Sequence, residues 1–123
     1  LTLLVPAPVV HSVWSDVVAS APDCLQPVTV VVVEDANLYS TNPNPIAAFW
    51  EDGVITISRK YLSRSTLFHE FAHHLDYSCG WQFAAAMDTG FADPNRPLNR
   101  PEAFARHYTH RMLFRERPLF CRM

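Results

Sequence analysis

Along the chain, runs with helical periodicity alternate with short β-branched runs, and the alternation marks out the elements. In residues 9–20 the apolar positions Val10, Val13, Trp14, Val17 and Val18 recur at the three- and four-residue spacing of a helix with one buried face. Pro22 ends that pattern. Residues 28–33 are an unbroken β-branched run with the length of a buried strand. Asn42-Pro43-Asn44-Pro45, inside residues 37–45, excludes regular structure, because proline fixes its own φ and has no amide to donate. Residues 46–50 and 54–58 then flank Glu51-Asp52-Gly53. Asp-Gly between two apolar runs predicts an antiparallel hairpin.

A second helical pattern follows. Ser63 or Ser65 can cap it by accepting a hydrogen bond from an otherwise unpaired first-turn amide. It runs to about Ser78, and Gly80 is a natural stop. Residues 81–99 read as irregular chain or short helix. Pro101 suits the first turn of a third helix that continues to about Arg115, ahead of Pro118. The order helix, strand, hairpin, helix, helix predicts an α+β fold, with helices packed on a small sheet. At 123 residues the expectation is a single domain over residues 1–123.

Composition narrows the possible partners. A hydrophobic fraction of 49% is enough for a packed core, and a net charge of -2 creates no overall attraction to nucleic acid or membrane. Residues 90–123 hold Arg96, Arg100, Arg106, Arg111, Arg115, Arg117 and Arg122 against Asp93, Glu102 and Glu116. Such a run reads first as a solvated helix face, so a nucleic-acid partner is not expected. No stretch approaches the roughly 18–20 apolar residues of a membrane span. The apolar start is interrupted by Pro6 and Pro8 and lacks the pattern of a signal peptide. Cys24, Cys79 and Cys121 are odd in number and widely spaced. They predict no disulfide framework and lean toward a reducing compartment or an unlinked extracellular enzyme, with the cytoplasm slightly favoured.

The chemistry lies on the second helix. Residues His69-Glu70-Phe71-Ala72-His73 form an HExxH string. Histidines four residues apart on a helix lie about 40° apart and one turn along, where one tetrahedral Zn²⁺ can take both imidazoles. Glu70 projects beside them, suited to take a proton from a metal-activated water as general base. Phe68, Phe71, Ala72 and Leu75 make the anchoring apolar stripe, and His69, His73 and Asp76 share the neighbouring one. Two histidines and a water leave one position for a third protein ligand. Glu102, just inside the third helix, is the first candidate, because a carboxylate near the inward face of a helix needs a partner. Cys79, His107 and His110 remain open as alternatives. His74 points away from the His69/His73 stripe.

These residues resemble the gluzincin branch of the zinc metallopeptidases. The string His69-Glu70-Phe71-Ala72-His73-His74-Leu75-Asp76 is similar to the active-site helix of the lethal-factor-like and Pro-Pro endopeptidase group, in which HExxH is followed by two residues and an aspartate. Pro101-Glu102-Ala103-Phe104-Ala105-Arg106 is similar to their glutamate helix. The resemblance implies a minimal zincin-like fold: a backing helix, a small mixed sheet with an antiparallel edge hairpin, an active-site helix and a glutamate helix. It further implies His69, His73 and Glu102 as zinc ligands, Glu70 as base, and Asp76 behind the ligands, orienting an imidazole. The tyrosine often found shortly before the ligand glutamate in that group is missing from residues 89–101. Tyr108 is the first substitute as donor to the developing oxyanion, with Tyr77, Tyr61 and Arg106 as others.

The expected function is therefore zinc-dependent peptide-bond hydrolysis, by an endopeptidase of narrow specificity acting on a peptide or protein in an open, shallow cleft. An extended substrate would add to the strand at 46–51, with Phe49 and Trp50 near the cleft. The competing expectations are a non-catalytic zinc-binding or partner-binding domain, and a zinc hydrolase acting on a non-protein substrate.

Overall fold

A computed structural model of the chain describes residues 1–3, 7–34, 48–87 and 100–114. The Asn-Pro loop at 37–45, the first two residues of the predicted strand at 46–50, residues 88–99 and Cys121 lie outside the described residues.

The strands and α-helices are those the patterning predicts, with two additions. Strand β1 (Thr2–Leu3) leads into helix α1 (Pro8–Ser20), then β2 (Thr29–Val33), β3 (Ala48–Glu51) and β4 (Val54–Ser58). A 3₁₀ turn, Arg59–Tyr61, passes into α2 (Arg64–Ser78), the short α3 (Gln82–Ala85) and finally α4 (Arg100–Leu113). The fold is mixed α+β. Its additions are β1, too short to show periodicity, and α3, which falls inside the stretch read as irregular or short helix.

The four strands form one open sheet in the order β1-β2-β4-β3. β1, β2 and β4 run parallel, and β3 pairs antiparallel with β4, so among the described residues β3 forms one edge of the sheet and the short β1 the other. The hairpin turns on Asp52 (φ 49) and Gly53 (φ 82), both left-handed, as a two-residue turn matching the strand twist requires. Register sets Val30, Ile55 and Trp50 side by side, and Val32, Ile57 and Ala48 next to them. Strand side chains alternate between faces, so these six share one face. Val30, Val32, Ile55 and Ile57 are buried.

Three helices supply most of the rest of the core, and Phe83 of α3, Ala7 and Val28 complete it. Val10, Val13 and Val17 come from α1; Leu67, Phe68, Phe71, Ala72 and Leu75 from α2; and Phe104, Ala105 and Tyr108 from α4. Proline in the first turn starts α1, at a position whose amide has no partner in a helix anyway. At the start of α2, Ser63 Oγ accepts from the Thr66 amide at 3.2 Å, which fulfils the expected cap. Gly80 (φ 74) turns the chain out of α2. α4 then packs along α2 and brings its first turn to the outer stripe of that helix.

The cysteines correct the sequence expectation. Cys24, in the loop after α1, is disulfide-bonded to Cys79 at the C-terminal end of α2, across 55 residues. An odd count of widely spaced cysteines carries no pairing information, whereas the fold brings these two Cα atoms within 5.2 Å. Among the described residues no helix is long and apolar enough to cross a membrane.

Candidate metal centre

His69 and His73 leave α2 on the side facing α4, their rings 5.0 Å apart and nearly perpendicular. Glu102, in the first turn of α4, reaches between them. Its Oε1 lies 2.9 Å from His73 Nε2 and 3.4 Å from His69 Nε2, and its Oε2 is 3.2 Å from His69 Nε2. Among the described residues these three form a group whose ligand atoms all lie within 4.8 Å of one another, suited to hold a metal ion.

The spacing can be tested against a real coordination shell. Zinc bonds of about 2.0–2.1 Å in a tetrahedron put neighbouring ligand atoms about 3.3 Å apart. The Glu102 contacts to the two imidazoles bracket that value, so the donor set fits such an ion with small adjustments. The site is half-open: the side chains of His69, His73 and Glu102 are 26%, 15% and 36% exposed. A fourth position is therefore reachable from solvent.

The charges support one another. Hydrogen bonds from His69 and His73 hold the Glu102 carboxyl well below the usual carboxylate range, against the opposing effect of burial. The hydrogen bond to Glu102 raises His69, and burial works against it. Glu70 sits beneath them and is only 7% exposed. Burial pushes its carboxyl up, while the charges of His73 and His69 pull it back. A carboxylate whose proton affinity is raised toward neutrality is better matched to accept and return a proton.

Several sequence expectations are relocated. Asp76 is fully buried, and its Oδ1 accepts from the amides of Phe83 and Ala84 at 3.0 and 3.1 Å. It caps α3 and hydrogen-bonds no imidazole, although its charge and that of His73 interact. Tyr108 is in the core, its ring 6.4 Å from Phe68 and 5.8 Å from Phe104, and at 1% exposure it cannot serve a substrate. An aromatic on the buried face of α4 packs there because that face meets α2 and α3. Tyr61 is exposed on the 3₁₀ turn with Lys60 over its ring. Arg106, one turn beyond Glu102, acts electrostatically on His69. Cys79 is tied up in the disulfide and offers no thiolate. His107 and His110 stand outside the metal-binding group.

His74 has a role that periodicity did not indicate. It is 1% exposed; Trp50 Nε1–H donates to its Nδ1 at 3.1 Å, and its Nε2 lies 2.9 Å from the carbonyl of Gln26. Burial lowers its proton affinity, so it serves as a neutral imidazole that accepts at one nitrogen and donates at the other. The only hint in the sequence is the adjacent pair His73-His74, whose side chains leave the helix about 100° apart and so meet different surroundings. No protein-family model, no curated protein and no solved structure matches this chain.

Proposed function

We propose that the protein is a zinc-dependent peptidase of the gluzincin type, with His69, His73 and Glu102 as ligands and Glu70 as general base. One observation carries the reading. Glu102 meets both imidazoles of the HExxH string although it is 33 and 29 residues away along the chain. Glu70 favours catalysis over a purely structural site. A structural zinc normally takes all four ligands from protein and has no need of a base, whereas here three ligands stand beside a buried carboxylate.

When bound, zinc supplies Lewis acidity, acidifying a water and polarising the substrate carbonyl. Glu70 accepts the proton of the attacking water and delivers it to the amide nitrogen as the C–N bond breaks. Arg106, exposed and one turn from Glu102, takes the oxyanion role that buried Tyr108 cannot fill. The substrate lies extended along β3, the antiparallel edge strand of the described sheet, using main-chain hydrogen bonds. The Cys24–Cys79 disulfide favours an oxidising compartment, against the cytoplasmic leaning of the cysteine count.

The test pairs zinc stoichiometry with a peptide-library digest. Wild type binds one zinc per chain and cuts. Glu70→Gln keeps the zinc and loses roughly 10²–10⁴-fold in turnover, the usual worth of a general base. Glu102→Ala weakens zinc binding. Full zinc affinity in Glu102→Ala would refute the ligand assignment. No cleavage by zinc-loaded wild type would leave a non-catalytic zinc domain as the better description.

A further inference from the structure

Just beyond the metal group, three aromatic rings gather where α2 ends. Trp50 lies 4.9 Å from Tyr77 and 5.9 Å from Trp81, and Tyr77 lies 5.9 Å from Trp81. Tyr77 is 38% and Trp81 43% exposed, a large apolar area to leave in water. Tyr77 follows His73 by four residues as His73 follows His69, so the three form one stripe, with the ring trio one turn past the ligands. Trp50 comes from β3, the strand that would pair with an extended substrate.

The trio is held rigidly. The Trp50 indole is fixed by its hydrogen bond to His74. Trp81 has φ 65, a left-handed backbone conformation that is strained for a bulky residue. The Asp76 carbonyl accepts from the Trp81 amide at 2.7 Å, and the Asp76 side chain accepts from the Phe83 and Ala84 amides of α3. A glycine would suit that backbone better. The chain keeps a half-exposed tryptophan there, and strain retained for an exposed side chain is a mark of function.

We infer that Trp50, Tyr77 and Trp81 form a wall that binds one large apolar side chain of the substrate peptide, next to the bond at the metal ligands. The inference rests on the peptidase reading. Its chemistry follows from the surface itself: three ring faces, none carrying a charge, fixed before the ligand arrives and so binding at little ordering cost. Asp76 is a positioning residue for this wall, acting through the turn that carries Trp81.

The experiment uses zinc-loaded Glu70→Gln protein and blocked Gly/Ser peptides that each carry a single Phe, Leu, Ala or Lys. Affinity is measured together with the indole N–H resonances of Trp50 and Trp81, and cleavage of the same peptides by wild type is followed in parallel. The Phe and Leu peptides are expected to bind about tenfold more tightly than the Ala and Lys ones, the size of effect one apolar contact supplies. They should also shift the Trp81 indole signal. Trp81→Gly, which relieves the left-handed strain, should erase that preference while zinc stoichiometry and melting temperature are kept. Tyr77→Ala provides a second variant should Trp81→Gly unfold. Equal affinity for all four peptides overturns the wall, as does an oligosaccharide that shifts the same indoles more strongly than the Phe peptide. An apolar preference without cleavage by wild type leaves the wall standing and removes the peptidase reading. Cleavage without a preference removes the wall alone.

Discussion

Two consecutive histidines on α2 meet opposite surroundings. His73 turns toward α4, keeps part of its ring in water and shares the Glu102 carboxylate with His69. His74 turns toward the sheet and the loop after α1, is closed off from water, and has both nitrogens engaged by Trp50 and Gln26. A helix advances about 100° per residue, so adjacent side chains can serve a cleft and a core at once. The same division runs along α2. His69, His73 and Tyr77 form an outward stripe of polar and aromatic groups, while His74, Asp76 and Cys79 join the helix to its neighbours. His74, Asp76 through its Oδ1, and Cys79 are thus bonding parts of the fold, each with a named partner.

The largest expected effect lies on the inner side, at the disulfide. Cys24–Cys79 closes a loop of 55 residues, for which chain entropy alone gives about 4 kcal/mol of stabilisation. Reduction, or a Cys24→Ser/Cys79→Ser variant, should lower the unfolding free energy by up to that amount in urea titrations. Zinc stoichiometry of the molecules still folded should not change. If zinc binding is lost before the transition begins, the two sides of α2 are coupled more closely than their contacts imply.

Next in size is the crossed pair His73→Ala and His74→Ala. His73→Ala should weaken zinc binding by about a hundredfold or more, because losing even an outer-shell partner costs 10–100-fold, and should leave the metal-free protein nearly as stable as wild type. His74→Ala should do the reverse: it removes a buried ring and leaves the Trp50 indole and the Gln26 carbonyl unpaired, at about 2–4 kcal/mol. Calorimetric zinc titration and thermal melts on both proteins decide the matter, and parallel losses in both would erase the distinction. The pair also carries a pH signature. Burial depresses the folded-state affinity of His74 for a proton, so below the ordinary histidine value of 6.5 the unfolded chain takes up more protons than the folded one. Stability from neutral His74 is therefore present above that value and declines as pH falls through it. His74→Asn should show a flatter stability curve than wild type over that acid range.

Much of this was readable from residue spacing, and the failures have a common physical origin. Periodicity places α1, α2 and α4 within a residue or two because each buries one stripe: Val10, Val13 and Val17; Leu67, Phe71 and Leu75; Phe104 and Tyr108. Asp52-Gly53 marks the hairpin because few residues accept two left-handed positions in a row. HExxH is visible because both histidines belong to one helix. What stayed hidden depends on contacts between distant segments: Cys24 with Cys79, Trp50 with His74, the Asp76 carboxylate with amides seven and eight residues on. Glu102 is the instructive intermediate. Its spacing made it a candidate, but its meeting with His69 and His73 follows only from α4 packing along α2.

The smallest effect belongs to Asp76, and it separates the two jobs that its position suggests. As a buried acceptor for the Phe83 and Ala84 amides, Asp76 needs an oxygen and not a charge, and an asparagine carbonyl can take its place. Burial indeed raises its proton affinity, with the hydrogen bonds from Ala84 and Phe83 opposing, so the site disfavours the ionised form on balance. Asp76→Asn should therefore change stability by no more than about 1 kcal/mol, the worth of an ordinary hydrogen bond. Zinc affinity should stay within a few-fold of wild type. An aspartate that orients a ligand imidazole predicts something else: loss of its charge would weaken zinc binding by about 10–100-fold with stability little altered. Zinc titration of Asp76→Asn beside wild type thus tells whether the inner side of α2 ends at Asp76 or reaches through His73 into the proposed metal site.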